Sequence, residues 1–389
     1  MQCPVCGTGV LKPFFRLPEM PVICNNLWNS RDSARNCPKG DIALGFCNEC
    51  GFIRNLKYKS EDCMYSIDYE NSLHFSDRFQ EYIRRVATHL IEDYGIKDKT
   101  VIEIGCGKGD FLLMLCREGH NKGIGFDQSY VDLPQKLLND VDITFIKDYY
   151  FHEYKSYRSD LICCRHVLEH LDDPLSSVKE IRDFACYNDG VKLYYEVPNS
   201  LHTFKELAVL DIIYEHPNYF TPVSLKSVFE LAGFEVLEQE QVYGNQFINL
   251  IAAPSSQDTP HSGKRDCEVR ELRKDVGRFE ERFKRFYEDR KKLIEDASSQ
   301  NCRAVIWGTG SKGVTFLNLF KDQNLFEYAV DINPRKESKF VSGSGQKIVS
   351  PKFLRDYDPD LTFIMNPIYE TEIAQTIQEM GIAPELIVV

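Results

Sequence analysis

The chain has 389 residues, 43% of them hydrophobic, and a formal charge of −12 from 59 acidic and 47 basic side chains. That length allows two or three domains with proper cores, and the acidity argues against non-specific binding to a polyanionic backbone, so a small-molecule substrate is expected, with no nucleic-acid partner. No apolar run approaches the roughly 18 residues of a membrane span and no apolar leader precedes Cys3, which predicts a cytoplasmic protein whose 14 cysteines stay reduced or bind metal.

The first cysteines have metal spacing. Cys3-Pro-Val-Cys6-Gly and Cys47-Asn-Glu-Cys50-Gly are two C-x-x-C knuckles. Four thiolates with no open position suit structural Zn²⁺, whereas catalytic zinc keeps a water site and usually includes histidine. Cys24 and Cys37, in the loop between the knuckles, are alternative ligands outside any C-x-x-C pair. A thioredoxin-like role fits worse, since it needs one C-x-x-C opening a helix after a strand. Cys163-Cys164 read as small buried apolar residues. Between Phe75 and Ile91, Phe79, Tyr82, Ile83, Val86 and Leu90 recur at helical intervals. The polar aromatic loop Tyr65–Ser72 lies just before, with Tyr69 as either a packing residue or a substrate contact.

The chain is organised around Thr100–Leu115, where an apolar run, three alternating glycines and a second apolar run predict strand, tight turn and helix. Glu103 sits on the strand. Gly105, Gly107 and Gly109 let the backbone approach a ligand, and Asp127 follows Gly109 by 18 residues, where an acid meets a ribose. Further strands are expected at 143–146, 161–164 and 192–197, giving a doubly wound α/β sheet whose ligands sit beyond the strands' carboxyl ends. The residues placed there are Asp127, Asp148, Arg165-His166, Glu196 and Asn199. Asp211–Thr221 gathers an acid, an imidazole and phenols: His216 is either a histidine held by hydrogen bonds in a loop or a proton-transfer group whose basicity Glu215 can raise, with a phenol able to donate to an oxyanion.

Residues 254–264 read as a linker. Beyond them Val269, Leu272, Val276, Phe279, Phe283 and Phe286 predict an amphipathic helix that docks on a neighbouring domain, its repeat fading at Arg290. The last domain opens as a second Rossmann-like unit, with Gly308-Thr-Gly310-Ser-Lys312-Gly313 and Asp331 again 18 residues beyond the last glycine. An NAD-dependent oxidoreductase therefore has to be considered. Gly308, Gly310, Lys312 and Gly313 either cradle a diphosphate at a helix N-terminus or form a tight turn.

The E-x-G-x-G-x-G spacing resembles motif I of class I S-adenosylmethionine (SAM) methyltransferases, and Arg165-His-Val-Leu-Glu-His170 resembles the stretch lining their pocket between SAM and acceptor. Taken with the four knuckle cysteines, Glu215-His216…Tyr219-Phe220 and Asp331-Ile-Asn333-Pro-Arg-Lys336, the chain resembles nearly end to end the three-domain sugar C-methyltransferases that act on nucleotide-linked 4-keto-deoxyhexoses. The resemblance implies a zinc lobe over residues 1–68, a SAM-dependent methyltransferase domain over 69–256, and a linker helix with a Rossmann-like domain over 265–389, in a monomer or small homo-oligomer. It implies that Glu103, Gly105, Gly107, Gly109, Asp127, Asp148 and His166 hold SAM, and that His216 is the base, with Glu215 orienting it. It further implies that Tyr214, Tyr69 or His170 stabilises an enolate, and that Glu196, Asn199, Tyr219, Lys312 and Asn333 bind the sugar nucleotide. The family's tyrosine three positions before the histidine is replaced by Ile213, with Tyr214 one residue later. The same-fold alternative is an O- or N-methyltransferase; from other classes, an NAD-dependent sugar oxidoreductase or a non-catalytic nucleotide-binding scaffold.

Overall fold

Alternating burial builds the first sheet of the computed structural model, which describes residues 1–63, 68–150, 157–185, 190–255 and 265–389. In β1 (Leu11–Pro21), Leu11, Phe15, Leu17 and Met20 are buried while Lys12, Arg16 and Glu19 face solvent. β1 pairs antiparallel with β2 (Lys39–Cys47), and β2 with β3 (Ile53–Asn55). The knuckle Cys47–Cys50 is the turn that leaves β2, so the cysteine cluster closes one end of this small sheet.

The central unit contains β4 (Thr100–Ile104), β5 (Lys122–Phe126), β6 (Asp142–Ile146), β7 (Leu161–Arg165), β8 (Lys192–Pro198), β9 (Asn218–Tyr219), β10 (Phe234–Val242) and β11 (Phe247–Pro254). Seven of these form one sheet in the order β10-β11-β8-β7-β4-β5-β6. β11 runs antiparallel to both its neighbours; β4 to β8 are mutually parallel where they pair. The innermost strands are apolar on both faces, as parallel strands covered by helices must be, and they stand where the apolar runs predicted them. The helix Asp77–Glu92 packs beside β4 through Ile83, Val86 and Leu90. The chain runs from β4 outward through β5 and β6 and then returns to β7 on the other side. This reversal opens a crevice at the carboxyl ends of β4 and β7. β9 leaves the sheet and pairs with β3, so Ile53 lies opposite Tyr219 and the N-terminal sheet gains its fourth strand from residues far along the chain.

The last unit is a five-stranded parallel sheet, β12 (Ala304–Trp307), β13 (Phe326–Val330), β14 (Lys347–Val349), β15 (Leu361–Ile364) and β16 (Glu385–Val388), ordered β14-β13-β12-β15-β16. Its own reversal lies between β12 and β15. The helix Arg265–Ser299 connects the central and last units. It runs past Arg290 because Ile294 and Ala297 are also buried, and its Phe279 and Phe283 rings meet Phe15 edge-on at 4.9 Å each. β1, this helix and the last sheet share one apolar core. The predicted linker from 256 onward and residues 65–67 of the tyrosine loop lie outside the described residues. Among the described residues, no helix is long and apolar enough to cross a membrane.

Candidate active site

The turn after β4 supplies the first wall of the site. Gly105 and Gly107 have φ of 69° and 56°, a conformation that costs a side-chain-bearing residue about 1–2 kcal/mol. A Cβ at Gly105 would run into Val167, whereas one at Gly107 would meet nothing within 4 Å. The backbone at Gly107 is therefore open for a ligand to approach, and the helix Asp110–Gly119 begins just beyond. Asp127, at the end of β5, accepts the Gly107 N–H at 2.8 Å and the Ser129 N–H and hydroxyl at 2.7 Å. It holds the turn in shape and still faces the cavity. Glu103 is buried, and its Oε2 has no hydrogen-bond donor. Burial pushes its carboxyl up to about 8, against the pull of Arg165. An acid with one oxygen unsatisfied beneath an open glycine turn fits the cationic amino-acid end of SAM. Asp148 lines the same wall beyond β6. Gly109 does not line the cavity: a Cβ there would run into the Phe145 ring, and it caps the helix.

The second wall grows from β7 and β8, where the register sets Arg165 beside Glu196. Arg165 Nη2 lies 2.7 Å from Glu196 Oε1, and its guanidinium covers the Phe111 ring. His166 Nε2 lies 2.8 Å from the same oxygen. The other oxygen accepts from Tyr194 at 3.1 Å and from Tyr82. Burial alone would raise the Glu196 carboxyl; Arg165 and His166 reverse this and hold it well below the usual carboxylate range. Burial likewise opposes charge on His166, but Glu169 and Glu196 push its imidazole up to about 9, so it is a cation at neutral pH. Its φ of 53° places a non-glycine residue in the left-handed region, which functional sites often contain.

His170 and His216 face the cavity with ring centroids 4.6 Å apart at 77°. Nδ1 of His170 donates to the Glu215 carbonyl at 2.8 Å, which orients the ring. Burial, reinforced by the His170 and His166 rings, holds His216 well below the ordinary imidazole range, so its ring is neutral. Tyr69 also lines the cavity, and its hydroxyl donates to Glu215 Oε2 at 3.1 Å.

Several expectations need correction. Glu215 does not orient His216: its carboxylate accepts from Tyr69 and from the Cys24 N–H at 2.9 Å, because the side chain turns toward the N-terminal lobe. Tyr214 points away from the cavity. Its ring lies against Gly40 and its hydroxyl meets Asp62 at 3.1 Å, so the phenol at the site is Tyr69. Glu196 has no exposure and is saturated by its neighbours, so it organises the wall without reaching a ligand. Tyr219 is buried with its hydroxyl on the Ile213 backbone, a bond that shapes the loop carrying His216. Asn199 lines the cavity, but its amide is engaged by Gln241 and Asn245 and caps the helix Ser200–Lys205.

The third wall comes from the second glycine loop. Gly308, Gly310 and Lys312 line the same cavity of about 940 Å³ as Gly107 and His216. Lys312 pairs with Asp211. Asp331 accepts from Thr309 N–H at 3.0 Å and sits 3.4 Å from Lys336 Nζ, while Asn333 donates to Glu70 at 3.1 Å. Outside the lining of this cavity, the four knuckle cysteines place their sulfurs within 4.8 Å of one another, with Cys3–Cys50 at 3.6 Å and Cys6–Cys47 at 3.7 Å. The Gly9 N–H donates to Cys6 Sγ at 3.3 Å.

Residues 75–239 match the model of a methyltransferase domain, and residues 265–387 that of a C-methyltransferase C-terminal domain. The chain carries a SAM-dependent methyltransferase domain. The tRNA U34 carboxymethyltransferase of Aliarcobacter butzleri (strain RM4018) is 29% identical over 177 residues, 41% of this chain and 55% of that protein. The ubiquinone biosynthesis O-methyltransferase of Pseudoalteromonas translucida (strain TAC 125) is 24% identical over 159 residues, 36% of this chain and 66% of that protein. The chain thus spans only 55% and 66% of the lengths of these relatives. The solved structure of magnesium protoporphyrin IX methyltransferase from Synechocystis PCC 6803 with bound SAH aligns at a TM-score of 0.37 and 17% identity, over 48% of this chain and 90% of that one. That likeness is too distant to bear on the chemistry.

Within the methyltransferase domain, sequence reasoning placed Arg165 only beyond the carboxyl end of its strand, without a partner, and assigned no role to Glu169. Both stand in the Arg165–His170 stretch, and the signal was an acid between two histidines at the end of an apolar strand, a place where charge is seldom buried without purpose.

Proposed function

We propose that this chain transfers the methyl group of SAM to a carbon of a nucleotide-diphosphate-linked keto sugar. One observation carries the reading: the glycine turn, the His170–His216 pair and the second glycine loop all line one cavity of about 940 Å³. That volume is at the upper end of the range for ligand pockets, about 1,000 Å³, and favours a site for two ligands. The match of residues 265–387 to a C-methyltransferase C-terminal domain supports carbon as the accepting atom.

SAM, when bound, supplies a methyl group already activated by its sulfonium. Glu103 and the backbone at Gly105 and Gly107 take its amino-acid end, Asp127 its ribose and Asp148 its adenine. The neutral ring of His216 accepts the proton α to the ketone, and the imidazolium so formed offsets the enolate's charge. Tyr69, fixed by Glu215, covers the acceptor side and keeps water out. Lys312 and Asn333 face the sugar nucleotide from the third wall. The four cysteines hold structural Zn²⁺: the edges of a tetrahedron with Zn–S bonds of about 2.3 Å are about 3.8 Å long, close to the 3.6 and 3.7 Å sulfur separations.

The deciding experiment incubates the chain with methyl-labelled SAM and a panel of nucleotide 4-keto sugars, followed by mass and NMR analysis. A new methyl on carbon supports the reading. A methyl on oxygen or nitrogen replaces it with the same-fold alternative, and hydride exchange with NAD replaces it with the oxidoreductase. His216→Asn should lower both methyl transfer and α-hydrogen exchange with heavy water by about 10²–10⁴-fold, while SAM affinity stays unchanged by calorimetry. Metal analysis should find one zinc per chain, lost together with stability in Cys47→Ser.

A further inference from the structure

We propose that the imidazole of His74 donates to the carboxylate of SAM and so positions the amino-acid end of SAM against the first glycine turn. That role rests on the reading of the turn as the SAM site. There Glu103 takes the ammonium of SAM, and an acid ionised by that ammonium repels the neighbouring carboxylate, which needs a donor from another element.

His74 belongs to a strap, residues 68–76, that leads into the helix Asp77–Glu92. Ser72, His74 and Ser76 line the same cavity as Glu103 and Gly107. The strap is tied at both ends. The Leu27 N–H donates to the Asp68 carbonyl at 3.0 Å, and buried Glu70 accepts from Asn333 at 3.1 Å and Arg335 at 3.2 Å. At the other end the Ser76 hydroxyl donates to Glu372 at 2.8 Å. His74 is itself fixed: its carbonyl accepts from Gln80 Nε2 at 2.7 Å, and its ring meets Phe79 edge-on with centroids 5.2 Å apart at 86°. Among the described residues, neither ring nitrogen has a hydrogen-bond partner. A ring held in place with an unused donor beside a cavity is preorganised for a ligand. The charges locate it. Arg165 and Asp110 act on both Glu103 and His74, which sets the two residues at one end of the cavity, where the helix Asp110–Gly119 begins. Burial holds the imidazole below its ordinary value against the pull of Asp110, with Arg165 adding to it, so the neutral ring offers one N–H. Arg165 is already committed to Glu196 and Phe111. Lys108, within the turn, also lines the cavity and is the competing donor.

The test compares SAM with decarboxylated SAM, which keeps the sulfonium and the ammonium but lacks the carboxylate, by calorimetry on the full chain. His74→Phe keeps a ring against Phe79 and removes the N–H. It should weaken SAM about 10–100-fold, the range for a lost hydrogen bond to a charged group, and leave decarboxylated SAM unchanged. His74→Gln, which retains an N–H donor, should recover most of the SAM affinity; thermal melting confirms that each variant is folded. On the wild type, independently of any variant, the His74 ring N–H should be protected from solvent exchange by SAM and not by decarboxylated SAM in NMR spectra. Equal losses for the two ligands would reduce His74 to packing and overturn the assignment. A folded His74→Phe that binds SAM as tightly as the wild type would overturn it too, and a loss confined to SAM in Lys108→Ala would then give the carboxylate to that lysine. Gly107→Leu separates the two levels: if it loses SAM and His74→Phe does not, the turn stands and His74 is wrong, whereas a Gly107→Leu that keeps SAM affinity would remove the SAM site from the turn and His74 with it.

Discussion

The molecule contains two glycine turns built to the same plan, and they are prepared for different work. In each, a parallel strand enters a turn, a helix leaves it, and an aspartate follows 18 residues after the last glycine. Around Gly107 the turn is open, one oxygen of the buried Glu103 beneath it lacks a donor, and Asp127 accepts from backbone N–H groups and a hydroxyl. Around Gly310 the acid is already spent. Asp331 is ion-paired with buried Lys336 and hydrogen-bonded to Thr309, and the lysine of the turn, Lys312, is paired with Asp211. Spacing therefore identifies a turn, but the charge placed around it decides whether a small ligand's ribose can compete for the acid. On this ground Asp331 does not serve as a ribose-binding residue, which weakens the oxidoreductase alternative.

The comparison is broken most forcefully at Asp331. Asp331→Ala leaves the buried Lys336 cation unpaired and should destabilise the fold by about 3–5 kcal/mol, measured by urea denaturation, with SAM affinity unchanged in the folded fraction. Burial opposes the Asp331 charge, but Lys336 and Thr309 hold its carboxyl below the ordinary value. Its stabilisation is therefore full above the unfolded pKa of about 3.9 and is lost as pH falls through the lower folded value. The gap between variant and wild type should close over that acid range; a constant gap would show that the loss is one of packing. Next in size is Gly107→Leu, which puts a side chain into the open turn at positive φ. SAM affinity should fall by at least about 100-fold, or ~2.7 kcal/mol, whereas Gly310→Leu should leave it unchanged. Asp127→Ala should weaken SAM by about 1–3 kcal/mol, the range for a lost hydrogen bond to a charged group. Unchanged affinity by calorimetry would mean that Asp127 serves only to hold the Gly107 turn.

Much of this was legible in the sequence, for identifiable reasons. Parallel strands buried on both faces leave continuous apolar runs, so β4, β7 and β8 were found within about two residues. The two C-x-x-C pairs and the glycine turns declare themselves by spacing. What failed depended on partners distant in sequence. Glu196 follows an apolar run just as a ligand-binding acid would, but the β7–β8 register sets Arg165 next to it and turns its carboxylate inward. Tyr214 and Tyr69 are indistinguishable as residue types; only the packing of the N-terminal lobe sends one to Asp62 and the other to the cavity. A two-residue strand such as β9 carries no periodicity, so its role in completing the first sheet was invisible.

The smallest effect bears on the question the second turn leaves open, whether it cradles a diphosphate or only bends the chain. Lys312 and Asp211 form a partly buried pair, with side chains 16% and 24% exposed, so Lys312→Ala should cost about 1 kcal/mol of stability in either case. Binding of a nucleotide diphosphate separates the two. A cradle needs the lysine to leave Asp211 for the phosphates, so the variant should lose affinity for the nucleoside diphosphate more than for the nucleoside monophosphate, and the loss should shrink as salt is raised. Asp211→Asn, which frees the lysine, should then bind the diphosphate more tightly than the wild type. A simple turn predicts no change in nucleotide affinity for either variant, and SAM affinity should stay constant throughout, because the first turn shares the cavity but none of these charges.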